Sequence, residues 1–357
     1  TRFTAPSALV LIVDDIATNL KVAAELLSPY KLQADTCSSG DEAVRMAREK
    51  RYDIIFMDHM MPGMDGVAAT EAIRALGGGY FKEVPIIALT ANAVFGMREM
   101  FLEHGFSDYL PKPIEVRKLD EMLERWIPAE KRASLSDVEA ARGEPASGSA
   151  LLPEELRLKE TLDAADIDFD KAMDRFGNNT EALARVLRSY VSHTPAILEN
   201  LRAPTEETLR EYAINAHGIK GSSYGVCADA VGRLAEELEA AAKGRDLELV
   251  LAKNDALLAM AEKLIEDLSH MPKSLEASMG EKDTRAAPDK STLEAVADAC
   301  LRYDMTALEK AVSDLERFDY ENHADLVAWL RNQLDNLEYE AIGERLANEL
   351  ADWNDAS

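Results

Sequence analysis

The sequence has little cysteine, fewer basic than acidic residues, and no long apolar run. Its three cysteines, Cys37, Cys227 and Cys300, are an odd number spread far apart, which argues against a disulfide framework and for a reducing compartment such as the cytoplasm. The 40 lysines and arginines are outnumbered by 66 acids, and the formal charge of −26 repels nucleic-acid phosphates and anionic lipids. No apolar run approaches the roughly 18 residues of a membrane-spanning helix. We therefore expect a folded cytoplasmic protein that contacts neither nucleic acid nor membrane.

The length and the distribution of low-complexity sequence predict several domains. At about 150 residues per domain, 357 residues correspond to two or three domains. Residues 128–160 and 272–290 are rich in Ala, Ser, Gly, Pro and charge and are predicted to be linkers. They leave domains at 1–127 and 161–271 and a tail at 291–357. The chain begins with Thr1 rather than Met, which predicts a fragment or a processed product.

The first block alternates short apolar runs with amphipathic helical patterns. Strands are predicted at 9–13, 32–37, 54–57, 85–89 and 109–110, and helices at 20–27, 41–49, 67–75, 97–104 and 115–126. This alternation predicts an α/β fold, a doubly wound five-stranded parallel sheet with helices on both faces. In such sheets the functional site lies at the carboxyl ends of the strands.

The rest of the chain has no predicted strand. Apolar spacings of three and four residues predict helices at 170–176, 180–191, 207–226, 229–243 and 247–268. We therefore expect an all-α helical bundle, followed by a small all-α tail.

Acidic residues follow two neighbouring strands of the predicted sheet. Asp14 and Asp15 come directly after the first strand and Asp58 after the third, so their carboxylates converge. Like charges this close need a cation, and oxygen ligands suit Mg²⁺. Thr90 and Lys112, at the ends of the fourth and fifth strands, add a hydroxyl and an ammonium. Together these groups suit phosphoryl transfer, with Asp58 as the covalent acceptor.

Residues 8–126 resemble the receiver domain of two-component signalling, which has a flavodoxin-like fold. The resemblance covers the whole block. The residues that carry it are Asp14-Asp15, the run Asp58-His59-Met60-Met61-Pro62-Gly63-Met64-Asp65-Gly66, Thr90-Ala91 and Lys112-Pro113.

The resemblance implies a role for each matched position. It makes Asp58 the phosphorylation site, and it makes Asp14, Asp15, Asp58 and the Met60 carbonyl the ligands of Mg²⁺. Thr90 and Lys112 are implied to hold the phosphoryl oxygens. Thr90 and the aromatic residue Tyr109 are the implied switch pair, and a cis Lys112–Pro113 bond is implied as well.

One histidine in the helical block lies in a distinctive setting. His217 heads the run Ala216-His217-Gly218-Ile219-Lys220-Gly221-Ser222-Ser223 within a helical pattern, so Lys220 and Gly221 share its face. A cation beside an exposed imidazole would stabilise a phosphorylated ring, and a missing side chain would let another protein approach. Residues 163–271 resemble the histidine phosphotransfer (HPt) domain, a four-helix bundle. The resemblance makes His217 the phosphoryl carrier, Lys220 its assistant, and Gly221 and Ser222 part of the docking face.

These observations predict a phosphorelay segment with Asp58 and His217 as carriers, resembling the C-terminal part of a hybrid histidine kinase. Expected partners are a histidine kinase core and other receiver or HPt domains. The sequence has no P-loop Gly-Lys-Ser/Thr motif, nor a recognisable dimerisation helix or ATP-binding domain, so the chain alone is not expected to phosphorylate itself from ATP. The alternative is a non-catalytic receiver-like scaffold whose helical tail binds a partner.

Overall fold

The computed structural model describes residues 3–90, 97–134, 153–271, 284–302, 305–316, 318–320, 322–335 and 339–351. The chain divides into two compact units. The first comprises residues 1–32 and 37–276, and the second comprises residues 33–36 and 277–357.

A five-stranded sheet forms the centre of the first domain. Its strands are β2 (Leu9–Val13), β3 (Gln33–Cys37), β4 (Ile54–Asp58), β5 (Ile86–Thr90) and β6 (Asp108–Pro111), in the order β3-β2-β4-β5-β6. The pairs β2–β4, β4–β5 and β5–β6 are parallel. Strands such as Leu9–Val13 are apolar throughout and buried because helices cover both faces of such a sheet. The predicted doubly wound fold is confirmed.

Six α-helices belong to the described part of this α/β domain, residues 3–90 and 97–134. They are α1 (Ala17–Leu27), α2 (Gly40–Glu49), α3 (Gly66–Ala75), α4 (Gly78–Glu83), α5 (Met97–Glu103) and α6 (Val116–Trp126). The short α4 was not predicted, because no residue in it is buried and it therefore carries no apolar period. Strand β1 (Phe3–Thr4) pairs antiparallel with β7 (Ala133–Ser134), inside the stretch predicted to be a linker.

The helical bundle comprises residues 153–269. Its helices are α7 (Pro153–Ala164), α8 (Phe169–Arg175), α9 (Thr180–Asn200), α10 (Leu209–Gly225), α11 (Asp229–Lys243) and α12 (Leu247–Ser269). The long helices α9 to α12 pack against one another as a four-helix bundle, as predicted. Two boundaries differ from the prediction, since α7 begins at Pro153, inside the predicted linker 128–160, and α9 runs past 191 through Pro195. Buried Leu158 and Leu162, four residues apart, anchor α7.

The second unit is mostly helical, as predicted for the tail. It contains α13 (Lys290–Leu301), α14 (Met305–Leu315), α15 (Ala324–Asp335) and α16 (Tyr339–Ala351). Two-residue strands β8 (Thr284–Arg285) and β9 (Asp319–Tyr320) pair in parallel and are too short to give a sequence pattern. Leu293, Val296, Leu330 and Ile342 are completely buried in its core.

No helix among the described residues combines the length and the apolar character that a membrane crossing requires. Cys37, Cys227 and Cys300 are buried free thiols.

Candidate functional site

The carboxylates that follow β2 and β4 meet at one edge of the sheet. Strands β2 and β4 are parallel neighbours, with Val13 opposite Met57, so the residues that follow them lie side by side. One carboxylate oxygen from each of Asp14, Asp15 and Asp58 lies within 4.8 Å of the others. Asp14 and Asp58 are 1% exposed. The sequence-predicted carboxylates therefore form a single pocket.

Lys112 enters this pocket from the end of β6. Its Nζ lies 2.5 Å from Oδ2 of Asp14 and 2.7 Å from Oδ2 of Asp58. The Lys112 N–H donates to the carbonyl of Thr90 at 2.6 Å, and the Lys112–Pro113 bond is cis, as the resemblance implies. The ammonium thus neutralises part of the negative charge of the pocket.

The pKa values show how unevenly that charge is balanced. Burial and the charges of Asp14 and Asp58 raise the pKa of Asp15 to about 8. Burial also raises the pKa of Asp14 to about 6, although Lys112 opposes it. For Asp58 burial acts in the same direction, but Lys112 and His59 outweigh it and hold the pKa of this carboxyl below its ordinary value. The pocket has more negative charge than Lys112 alone neutralises, and its oxygen donors suit a divalent cation.

The other residues predicted for this pocket lie around its rim. Thr90 ends β5 and is completely buried; Ala91 lies outside the described residues. The Met60 N–H donates to Oδ1 of Asp58 at 3.2 Å, which places the Met60 backbone beside the carboxylate. Tyr109 is half-buried and stacks on Phe101, with ring centroids 6.4 Å apart.

His217 lies beside this pocket and is buried, whereas an exposed imidazole was expected. It is 5% exposed because the α/β domain covers it. The His59 ring stands edge-on to it at 5.9 Å between centroids. The charges of His217 and Asp58 act on each other's pKa. Asp58 and His217 are therefore brought together within one compact unit.

The His217 ring is held by a carboxylate that sequence reasoning missed. Its Nδ1 lies 2.9 Å from Oε1 of Glu239. Nε2 is buried, with no hydrogen-bond partner within the described parts of the chain. Burial lowers the pKa of His217 despite Glu239. Burial would raise the pKa of Glu239, but the His217 and lysine hydrogen bonds hold it well below its ordinary value.

Glu239 also binds two lysines. Lys220 Nζ lies 2.5 Å from its Oε2, and Lys243 Nζ lies 2.5 Å from its Oε1. Lys220, predicted to assist His217, is 2% exposed and reaches the imidazole through this shared carboxylate. A sequence signal for Glu239 exists, since it lies four residues after Ala235 on the buried stripe of α11.

Helix α1 of the α/β domain packs against α9 and α10 of the bundle. Glycines of α10 make room for it. A Cβ at Gly218 would lie 2.9 Å from Cδ1 of Ile16, and one at Gly221 would lie 3.3 Å from Nδ2 of Asn19. The predicted docking residue Gly221 thus lies against α1. Ser222 is buried, and its hydroxyl donates to the carbonyls of Gly218 and Ile219 in its own helix.

Comparisons with known proteins identify two domain families. The response regulator receiver domain matches residues 10–124, and the Hpt domain matches residues 185–270. The first covers the sheet and the carboxylate pocket, and the second covers His217, Glu239 and most of the bundle.

Several relatives of the chain are sensor kinases. Over 218 residues it is 31% identical to the signal transduction histidine-protein kinase BarA of Shigella flexneri, an alignment that covers 60% of this chain and 22% of BarA. Over 162 residues it is 34% identical to the sensor protein GacS of Pseudomonas syringae pv. syringae, covering 45% of this chain and 18% of GacS. The chain thus spans about a fifth of the length of these relatives.

Solved structures also resemble the α/β domain. One is the receiver domain of a sensor histidine kinase from Pseudomonas aeruginosa PAO1, with a magnesium ion coordinated in its active-site cleft. It is 42% identical, covers 34% of this chain and 97% of that chain, and has a TM-score of 0.31.

Proposed function

Since this chain carries a response regulator receiver domain and an Hpt domain, we propose that it is a phosphorelay protein that moves a phosphoryl group between Asp58 and His217 of one molecule. The observation that carries the proposal is that His59 lies between the two residues within one compact unit: its Nδ1 is 3.6 Å from Oδ1 of Asp58, and its ring centroid is 5.9 Å from that of His217. The phosphoryl donor to Asp58 would be a kinase core or a small acyl phosphate.

The carboxylate pocket would prepare Asp58 to accept and return the group. Lys112, within 2.7 Å of Asp58, would stabilise the charge on the phosphoryl oxygens, together with the Thr90 hydroxyl. Asp14, Asp15, Asp58 and the Met60 carbonyl would hold Mg²⁺, and the clustered oxygens of the three carboxylates fit that ion. When bound, Mg²⁺ supplies positive charge that offsets the negative charge of the carboxylates and of the phosphoryl oxygens.

The transfer step would use the Nε2 lone pair of His217. Nε2 attacks phosphorus, a P–N bond forms, and the P–O bond to Asp58 breaks with its electron pair going to the carboxylate. No other reactant is consumed, and the reverse step regenerates the acyl phosphate. Burial excludes water from the imidazole, which is 5% exposed, and this limits hydrolysis of the group in transit.

Glu239 would keep the imidazole in the reactive tautomer. Its low pKa makes it an ionised acceptor, so Nδ1 of His217 carries the proton and Nε2 carries the lone pair. After transfer the proton stays on Nδ1, and Glu239 stabilises the positive charge of the phosphorylated ring. Lys220 and Lys243 compensate the charge of Glu239 before transfer.

Phosphate mapping tests this function. Wild type, Asp58→Asn and His217→Gln are incubated with radiolabelled acetyl phosphate and Mg²⁺, and the label is classified by stability. An acyl phosphate is lost in base, whereas a phosphoimidazole is lost in acid. We expect both kinds of label in wild type, only the base-labile kind in His217→Gln, and none in Asp58→Asn, because His217 receives the group through Asp58.

Matched variants control for general damage. Asp65→Asn changes an exposed aspartate that caps α3, a position where Asn caps equally well, and His193→Gln changes a histidine of α9. Both should label like wild type. Base-stable label that persists in Asp58→Asn, or its absence from wild type, would contradict the transfer; the second result would favour the scaffold alternative.

A further inference from the structure

Four residues of α1 and of the position just before it form a row of contacts with the bundle. Ile16, Asn19, Val22 and Glu25 recur every third position, so each lies next to the following one along a ridge that winds around the helix. The first two meet Gly218 and Gly221 as described above. A Cβ at Gly225 would lie 3.2 Å from Cγ2 of Val22. Within this row Glu25 is the charged residue, and it lies at the end away from the carboxylate pocket.

Glu25 is bound by an arginine of the bundle. Arg185 Nε lies 2.7 Å from Oε1 of Glu25, and Nη2 lies 2.9 Å from Oε2, which is the paired geometry that guanidinium and carboxylate favour. The Glu25 side chain is 10% exposed and that of Arg185 is 27% exposed, so water screens the pair only partly. Nearby, the Thr18 and Ser189 hydroxyls lie 3.4 Å apart in the same interface.

We propose that the Glu25–Arg185 pair is the specificity contact by which this Hpt domain selects its receiver. The glycines of α10 restrict the shape of the helix that docks on them but not its charge. Many receiver helices could therefore pack against them. Arg185 adds a requirement for an acid three positions beyond the residue that packs on Gly225. The partner that fits is therefore a receiver whose first helix carries an acid near its end, and in this chain that partner is its own receiver.

The proposal rests on the proposed function, but the recognition is a separate property of the interface. A like charge facing Arg185 would repel it and leave it partly desolvated, which costs binding and disfavours the wrong partner. Restoring opposite charges in exchanged positions should restore docking. If either residue acted only within its own domain, the exchange would give no such rescue.

The test is a charge exchange in the full chain. Glu25→Arg, Arg185→Glu and the double exchange are phosphorylated with radiolabelled acetyl phosphate. The appearance of base-stable label on His217 is then timed at low ionic strength, where salt screens the pair least. Each single reversal should slow the transfer by about tenfold or more, and the double exchange should recover most of that loss. Labelling of Asp58 itself should be unchanged, since Glu25 lies outside the carboxylate pocket.

Each control variant makes the same kind of charge reversal at a residue outside the Glu25–Arg185 pair. Glu49→Arg reverses an acid at the end of α2, and Arg202→Glu reverses an arginine that pairs with Glu262 within the bundle. Both should transfer like wild type. Glu25→Gln and Arg185→Gln are milder variants for use if a reversal unfolds, and they should slow transfer less than the reversals. The proposal would be overturned if the single reversals of Glu25 and Arg185 transferred as fast as Glu49→Arg and Arg202→Glu. It would also be overturned if the double exchange were as slow as the single reversals.

A second readout separates this proposal from the transfer itself. Hydrogen exchange of the α1 amides reports docking whether or not a phosphoryl group moves. Single reversals should speed this exchange and the double exchange should restore protection. If wild type docks by this criterion but never labels His217, the proposed function fails while the recognition pair stands. If the reversals leave α1 protected, the recognition pair fails.

Discussion

Nδ1 of His217 donates a hydrogen bond of 2.9 Å to Oε1 of Glu239, and the ionised Glu239 leaves the Nε2 lone pair free to attack. Removing this carboxylate should therefore slow phosphoryl transfer to His217. For Glu239→Ala we expect a loss on the order of a hundredfold. Glu239→Gln should lose less, because an amide oxygen still accepts the Nδ1 proton. Rapid-quench timing of base-stable label gives the rates, and nitrogen NMR of His217 gives the tautomer.

The matched control for this prediction is Glu237→Gln, which changes an exposed acid of the same helix that pairs with Lys253. It should transfer at the wild-type rate. Equal rates for Glu239→Ala and wild type, with the Nδ1 tautomer unchanged, would show that Glu239 has no positioning role.

The glycine at position 218 makes room for the receiver. The atoms that a Cβ there would meet belong to Ile16, so Gly218→Leu should block docking and leave the bundle folded, since Leu also favours helix. We expect slower transfer with the melting temperature unchanged or raised. Ile16→Ala should partly restore transfer in the Gly218→Leu background.

Gly343→Leu is the control, because a Cβ at this α16 position meets nothing within 4 Å. It should leave transfer unaffected. Wild-type transfer in Gly218→Leu would mean that His217 receives the group in another arrangement.

Magnesium should stabilise the receiver through its carboxylates. A ligand that binds only the folded state raises the free energy of unfolding, by about 2.7 kcal/mol at a hundred times its Kd. We expect Mg²⁺ to raise the melting temperature of wild type, and Asp15→Asn to lose most of this rise because it removes a ligand. Scanning calorimetry with and without the ion measures both.

Asp65→Asn should keep the full Mg²⁺ response. The same rise in wild type and in Asp15→Asn would place the ion elsewhere.

The buried lysine beside His217 should matter for stability. Lys220 is 2% exposed and pairs with Glu239, so Lys220→Met should cost about 2 kcal/mol, the typical worth of a hydrogen bond to a charged group. Lys253→Met, at an exposed pair with Glu237, should change the free energy of unfolding by about 0.5 kcal/mol or less. Urea unfolding distinguishes the two, and equal values would mean that Glu239 is satisfied without Lys220.

The strands and the pocket residues that follow them could be predicted, because they depend on patterns of residues close together in the sequence. The apolar runs give the strands, and residues that directly follow parallel strands, such as Asp14 and Asp58, must meet at one sheet edge. Lys112 is predictable for the same reason. Helix α7 was missed because most of it lies in a stretch taken for a charged, low-complexity linker, and α9 was predicted too short because a proline such as Pro195 normally ends a helix.

Features that depend on packing between distant segments could not be predicted. Glu239 is one of four acids on α11; its spacing from Ala235 places it on the buried stripe, but its contact with His217 depends on how α10 and α11 pack. Glu25 and Arg185 are 160 positions apart, and no period in either helix links them. The burial of His217 also follows from docking, since the sequence predicts only its glycine-rich neighbourhood.

The concentration dependence of transfer tests intramolecular exchange most directly. Wild type is phosphorylated briefly with radiolabelled acetyl phosphate, and the remaining acetyl phosphate is removed. The movement of label from Asp58 to His217 is then followed at a series of protein concentrations. An intramolecular step predicts a first-order rate constant that is the same at every protein concentration. A rate constant that falls in proportion to dilution would show that the two residues exchange between molecules and would contradict the docked arrangement as the reactive one.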